Sequence, residues 1–372
     1  MNSSKESNHV PVETINGDLT ERERKLAEEI EKIYSLFGVK IEGLSGIMPG
    51  PRVTRFSYRV PSDTKVAKIT RLRDDVSLAL SVPKVRIVCP LPGEMAFGIE
   101  VPNREEKPVD FDEVFASEAF AKSQDKLCVV LGKALGNEPV CLELSKTPHV
   151  LIGGQPGSGK TTVLHNMIVS LICSAKPSEV KLLLIDPKQY AFDAFKDAAH
   201  LLQPIIYDAQ DAIDSLKRLR EECDRRHQLL RSHSAREINA YNAAAEEPMC
   251  RIVAIVDEMA FLACRDLREF ELAVCCIAQA GRAVGIHLVL ATNDLTAQTC
   301  TGLIKAVIPT RIALSTGTAL ASRSIMDKGD AECLLGKGDM LLCDLMMNPP
   351  RRIQAPRLSA EQIQEKLSGA LR

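Results

Sequence analysis

The sequence predicts an α/β fold built around a phosphate-binding loop, and three observations carry that expectation. First, the short apolar run Val150-Leu151-Ile152 leads into Gly153-Gly154-Gln155-Pro156-Gly157-Ser158-Gly159-Lys160-Thr161-Thr162. Second, Leu182–Ile185 and Ile252–Val256 are wholly apolar, Ile286–Leu290 is apolar but for His287, and each run leads into polar residues. Third, helical apolar spacing fills the intervals, through Val163, Met167, Ile168 and Leu171, then Ile213, Leu216, Leu219 and Cys223. Strands without polar alternation, separated by helices, suit a parallel sheet covered on both faces.

Composition sets the bounds. The 372 residues, 45% of them hydrophobic, are enough for two or three domains with a sizeable core. The 12 cysteines show neither C-x-x-C pairs nor zinc spacing, which argues against a structural metal and for a reducing, cytoplasmic setting. No apolar run is long enough to cross a bilayer and no secretory signal is visible. A formal net charge of -2 excludes a globally basic nucleic-acid binder, so DNA affinity would have to come from a local positive cluster.

In chain order, residues 1–20 are polar and aperiodic and are expected to be a disordered tail. Glu21–Phe37 carries Leu26, Ile30, Ile33, Tyr34 and Phe37 at helical spacing and opens a small α+β domain over 21–108. Val39–Ile41 and Arg52–Val60 read as strands around the turn Met48–Pro51. Val66–Leu80 reads as a helix, and Val85–Val88 and Ala96–Val101 as two more strands. Arg52, Arg55 and Arg59 recur along one strand, as a solvated face or a DNA contact. The pattern changes around Lys107–Asp110, opening a second domain over 109–358. There Leu127–Leu131 and Val140–Leu144 form a hairpin feeding the phosphate-loop strand. Ala209–Leu230 is a charged helix whose arginines are interleaved with acids, and Leu267–Val284 is another helix. An amphipathic helix over 359–372 ends the chain.

The chemistry lies at the strand ends. Gly154, Gly159, Lys160 and Thr161 fill the G-x-x-x-x-G-K-[ST] spacing, with Gln155, Pro156, Gly157, Ser158 and Thr162 completing the loop. Its amides can converge on a polyphosphate at a helix N-terminus. Lys160 would reach the β- and γ-phosphates of ATP and Thr161 would hold Mg²⁺. Asp257 would hold the Mg²⁺ shell, and Glu258 would polarise a water for attack on the γ-phosphate. Asp186 and Lys188 stand where parallel sheets present ligand-facing groups, or form a charged turn. Asn293 ends the strand Ile286–Leu290 and its extension, where a polar group can sense the γ-phosphate.

Together these runs resemble the motor region of the bacterial FtsK/SpoIIIE DNA translocases. The likeness includes Leu183–Lys188, Val256–Glu258, Gly281–Thr292, Thr301–Ala313, Ser322–Asp327 and Leu334–Leu341, with Pro49–Phe56 and Gly98–Asn103 in the small domain. It runs from about Leu36 to Pro356. The resemblance implies an α domain with a RecA-like P-loop core, six subunits ringing double-stranded DNA, and ATP sites between neighbours. It implies that Arg282, and as a second candidate Arg323, offsets phosphate charge across a subunit interface. It implies that Lys305, Arg311, Arg323 and Lys328 approach DNA in the pore. Three departures stand out. Asn293-Asp294-Leu295 replaces a Gln-Arg-Pro run; Gln189–Phe192 lacks the family's acid; no membrane-spanning or winged-helix region is present. The first rival is a conjugation- or secretion-type ATPase of a mobile element, since such ATPases share this core. The second is a nucleotide-gated DNA-binding scaffold with little hydrolysis.

Overall fold

The computed structural model describes residues 20–123, 125–344 and 349–370. The expected disordered tail lies outside the described residues except for Thr20, which caps the first helix. The chain divides into two units, one up to Glu106 and the other from Lys107.

In the first unit, α1 (Glu21–Leu36) starts with a capping box in which Thr20 and Glu23 satisfy each other's amides. Strands β1 (Gly43–Pro49) and β2 (Val53–Arg59) follow, then α2 (Val66–Thr70), α3 (Arg73–Ala79), β3 (Arg86–Val88) and β4 (Ala96–Pro102). The sheet is antiparallel in the order β1-β2-β4-β3. Its inner face packs Phe56, Tyr58, Phe97 and Ile99 against Ile30 and Tyr34.

The strand expected at Val39–Ile41 is absent, because Gly38 turns at φ +71° and the Val39 amide caps α1 by donating to the Tyr34 carbonyl. Strand pairing starts instead at Gly43. The single helix expected over Val66–Leu80 is two, separated at Arg71-Leu72. Arg52, Arg55 and Arg59 form no uniform solvated face. Arg55 donates to the fully buried Glu100, which Arg86 also faces, and Arg52 pairs with Glu106.

The second unit opens with α4 (Phe111–Phe115), α5 (Glu118–Ala121) and the hairpin β5 (Cys128–Ala134) and β6 (Pro139–Glu143). The alternating core follows: β7 (His149–Gly153), α6 (Lys160–Ser174), β8 (Val180–Ile185), α7 (Ala209–Ser232), α8 (Ile238–Asn242), β9 (Arg251–Val256), α9 (Met259–Val284), β10 (Ile286–Thr292), α10 (Gly302–Val307) and β11 (Thr310–Leu314). Last come α11 (Ala319–Met326), β12 (Asp339–Cys343), β13 (Arg351–Gln354) and α12 (Ala360–Ala370).

One nine-stranded sheet runs β6-β5-β13-β12-β11-β7-β10-β9-β8. The stretch from β11 to β8 is parallel and the rest antiparallel. The largely apolar strands serve two cores at once. Val150, Ile152, Leu182, Leu184, Val253 and Ile255 pack with α6, whereas Leu151, Leu183, Ile185, Ile252 and Ala254 pack with α7 and α9.

Two expectations change. The hairpin precedes β7 in sequence, but three strands separate it from β7 in the sheet. Helix α9 begins at Met259 rather than Leu267, with a non-helical break at Asp266. Strand β11 has no clear signal in the sequence, because its mixed pattern Thr-Arg-Ile-Ala-Leu lacks the apolar signature of its neighbours.

A candidate nucleotide site at the carboxyl edge of the parallel strands

Parallel pairing brings the functional strand tips to one edge. Gly153 pairs with Thr292, while Val256 pairs with Leu290 on one side and Ile185 on the other. The phosphate loop after β7, the Asp186 turn after β8, the Asp257-Glu258 pair after β9 and Thr292 of β10 therefore share a rim.

The loop holds its shape through backbone bonds to both neighbouring strands and to a distant turn. Gly154 N–H donates to the Thr292 carbonyl, Gln155 N–H to Ser315 (2.9 Å), and Gly338 N–H to the Ser158 carbonyl (2.8 Å). Gly159 lies at φ +109°, and a Cβ there would sit 2.4 Å from the Gly338 nitrogen, so only glycine fits. A Cβ on Gly157 would meet nothing within 4 Å, so the crest of the loop is open for a ligand. Pro156 and Thr162 lie in the same loop and in the first turn of α6.

Lys160 is buried, and its ammonium donates to the carbonyls of Gly154 (2.6 Å) and Gln155 (3.0 Å). Burial pushes it down to about 8, against the pull of the Glu258 and Asp257 carboxylates. Thr161 Oγ1 lies 3.5 Å from Asp257 Oδ1. Asp257 is 1% exposed, its Oδ2 meets the Lys188 ammonium at 3.4 Å, and burial raises its carboxyl above the ordinary value. A buried carboxylate whose Oδ1 lies beside a threonine hydroxyl is an oxygen donor set that fits a hydrated divalent cation.

Glu258 is gripped from two sides. The Thr292 hydroxyl donates to its Oε1, and the Asn293 N–H approaches both carboxylate oxygens at 3.0 Å. Lys188 Nζ lies 2.9 Å from Glu258 Oε2 and 3.4 Å from Asp257 Oδ2. Asn293 therefore reaches the site through its backbone amide. Thr292 escapes sequence reasoning as a partner of Glu258, since a threonine closing an apolar strand carries no distinguishing signal.

Asp186 is engaged with its own turn. It is fully buried and accepts from the amides of Gln189, Ala191 and Phe192, which fixes the turn that carries Lys188. Asp186 holds the charged turn, and Lys188 extends from it to the Asp257 and Glu258 carboxylates.

The remaining predicted residues lie away from this rim or are engaged elsewhere. Arg282 is exposed in the last turn of α9, at the opposite edge of the sheet from its own phosphate loop. Arg323 is exposed on α11. Lys305 pairs with Asp327 at 2.8 Å, and the Lys328 carbonyl accepts from Ser322 Oγ. Arg311, read as a DNA contact, is largely buried instead. Its guanidinium binds Asp327 and the carbonyls of Lys305 and Ile325, tying α10 to α11.

A glycine-rich loop entering α6, with Asp-Glu two strands away at the same rim, defines a P-loop nucleotide-binding fold. Solved structures share it. A monomeric form of the pCW3 conjugation coupling protein TcpA with ATPγS matches at TM-score 0.65 and 20% identity, covering 94% of this chain and 100% of that one. The cytoplasmic domain of the Thermomonospora curvata type VII secretion ATPase EccC matches at TM-score 0.59 and 23% identity, over 70% of this chain and 32% of that one.

The chain belongs to the FtsK/SpoIIIE family, whose model matches residues 111–299, and the FtsK alpha domain matches residues 9–103. Relatives include DNA translocase FtsK of Treponema pallidum (40% identical, 93% of this chain and 44% of that protein). DNA translocase SpoIIIE of Bacillus subtilis is 38% identical over 91% of this chain and 44% of that protein. The chain spans less than half the length of these relatives.

Proposed function

We propose that this chain is an ATP-driven motor that moves double-stranded DNA, working in the cytoplasm as a ring of six copies. The observation that carries the reading is the meeting of the loop, Thr161, Asp257 and Glu258 at one rim, within a chain of this family. The loop amides from Gly157 to Thr161 and the Lys160 ammonium would hold the phosphates of ATP, Lys160 leaving its two carbonyls to do so. Thr161 and Asp257 would hold Mg²⁺, which supplies charge neutralisation on the phosphate oxygens. Glu258 orients the attacking water and takes its proton. Arg282 cannot serve its own site from the far edge of the sheet, which suits delivery to a neighbouring copy. Arg323 and Lys328 would contact the DNA backbone without reading sequence.

The test is ATP turnover with and without long duplex DNA at two salt concentrations. Glu258→Gln is expected to lose turnover by about 10²-fold or more while nucleotide still binds. Lys160→Ala is expected to weaken nucleotide binding itself. Wild-type turnover in both variants would end the assignment.

A further inference from the structure

We propose that Lys188 is a positioning residue that latches the water-orienting carboxylate of Glu258 until the motor engages its substrate. The inference rests on the ATPase reading above and concerns the same rim. A carboxylate that is to take a proton from water needs a lone pair facing that water. In this structure the acceptor positions of Glu258 are filled. Thr292 Oγ1 and the Asn293 amide occupy Oε1, and the same amide and the Lys188 ammonium occupy Oε2.

One of these partners must leave before Glu258 can act. Thr292 and Asn293 are parts of the β10 tip, which is hydrogen-bonded into the sheet beside β7. Lys188 comes from a different strand tip on a flexible stem, so its ammonium is the releasable contact. Its backbone is prepared for that task. Three amides of the turn beyond it are tied to the buried Asp186, and Gln189 sits at φ +65°. Lys188 also reaches Asp257 Oδ2 at 3.4 Å, so one ammonium bridges the two carboxylates that ATP hydrolysis needs apart. With Lys188 withdrawn, Glu258 keeps its Thr292 and Asn293 contacts, and the Oε2 lone pair that the ammonium filled is free to accept from water. Thr292 is then the fixed pivot and Lys188 the catch.

The experiment measures steady-state ATP turnover of the full chain, with and without duplex DNA, for the wild type, Lys188→Met, Lys188→Arg and Thr292→Val. Binding of a fluorescent ATP analogue and the melting temperature are measured alongside. Lys188→Met should raise DNA-free kcat by about tenfold, within the ~10²–10⁴ that a placed base supplies, with KM and analogue binding within about twofold of wild type. The DNA-stimulated rate should stay put, so the fold-stimulation shrinks. Lys188→Arg should keep the low DNA-free rate, and Thr292→Val should lower both rates. If Lys188→Met unfolds, Lys188→Gln replaces it in the same comparison.

A Lys188→Met protein that is slower without DNA, or that binds the analogue about tenfold more weakly, makes Lys188 a phosphate contact and overturns the latch. That result leaves the motor reading intact if the wild type responds to DNA. A wild type and a Lys188→Met variant that are both inactive with and without DNA overturn both proposals. A wild type silent without DNA beside an active Lys188→Met supports the latch.

Discussion

At the foot of the phosphate-loop strand two histidines are held neutral by their surroundings. His149 opens β7 and His287 lies beside it in β10, with ring centroids 6.3 Å apart. His149 Nδ1 accepts from the Leu288 amide at 3.2 Å, so that nitrogen carries no proton, and His287 Nδ1 lies 3.2 Å from the Pro148 carbonyl. Burial drives His149 down to about 3 and His287 down to about 4. Unfolding releases both to their ordinary value near 6.5, so between about pH 4 and 6.5 the unfolded chain binds more protons than the folded one. Stability therefore falls as pH drops through that window, by about 1.4 kcal/mol per pH unit for each histidine that stays neutral. Urea midpoints at pH 7 and pH 5 measure the fall, and the double variant His149→Gln, His287→Gln should show a flatter one. A wild type equally stable at both pH values would contradict the assignment. At this scale the sequence announces side chains with fixed spacing, such as Lys160 and Thr161, far better than those whose meaning depends on a partner. Asp186 binds the backbone of its own turn, Asn293 acts through its amide, and Arg311 is neutralised by Asp327 sixteen positions on. None of these partnerships has a spacing rule that a strand-tip or charge-cluster argument could use.

Between elements, what makes the site is the strand order. Inserting β10 between β7 and β9 puts Thr292 and Asn293 where they can grip Glu258, while Thr161 reaches past that strand to Asp257. The parallel strands are legible in the sequence because burial on both faces removes polar alternation. The antiparallel half is harder to order, since β13 meets β5, and β12 meets β11, only after long excursions of chain. One of those meetings supports the loop directly. The turn Gly336-Lys337-Gly338 has positive φ at all three residues, 74°, 52° and 87°, and its Gly338 amide binds the Ser158 carbonyl. It is held by Asp339, whose buried carboxylate accepts from the Leu335 amide and from Arg352 of β13. Gly338→Ala would place a Cβ 3.1 Å from Ala355 Cβ in a left-handed conformation, so the turn must shift and drag Ser158 with it. Nucleotide affinity should fall about tenfold, ~1.4 kcal/mol, in a titration with a fluorescent ATP analogue. Unchanged affinity would mean that the loop is set by α6 and β7 alone.

Taken whole, the molecule has too little net charge to hold DNA by its average field. With a formal net charge of -2, any grip on a duplex has to come from a few exposed cations acting within a Debye length of phosphates. The candidate basic residues divide on this criterion. Arg323 is exposed on α11, whereas Arg311 and Lys305 are engaged with Asp327 in the fabric between α10, β11 and α11. The same substitution should therefore have opposite signatures at two positions that the sequence alone treats alike. Arg323→Ala should weaken duplex DNA stimulation of ATP turnover, with the melting temperature unchanged. It should also make log affinity against log salt shallower by about 0.9 for each DNA phosphate that the arginine no longer neutralises. Arg311→Ala removes the guanidinium that binds Asp327 and two carbonyls, so it should lower the melting temperature by several degrees, as expected when buried bonding worth ~1–3 kcal/mol is removed. Its salt slope should match the wild type. Salt titrations of DNA stimulation and thermal melts on the two variants decide the matter. A shallower slope in Arg311→Ala, or an unaltered one in Arg323→Ala, would move the DNA-facing surface to other residues.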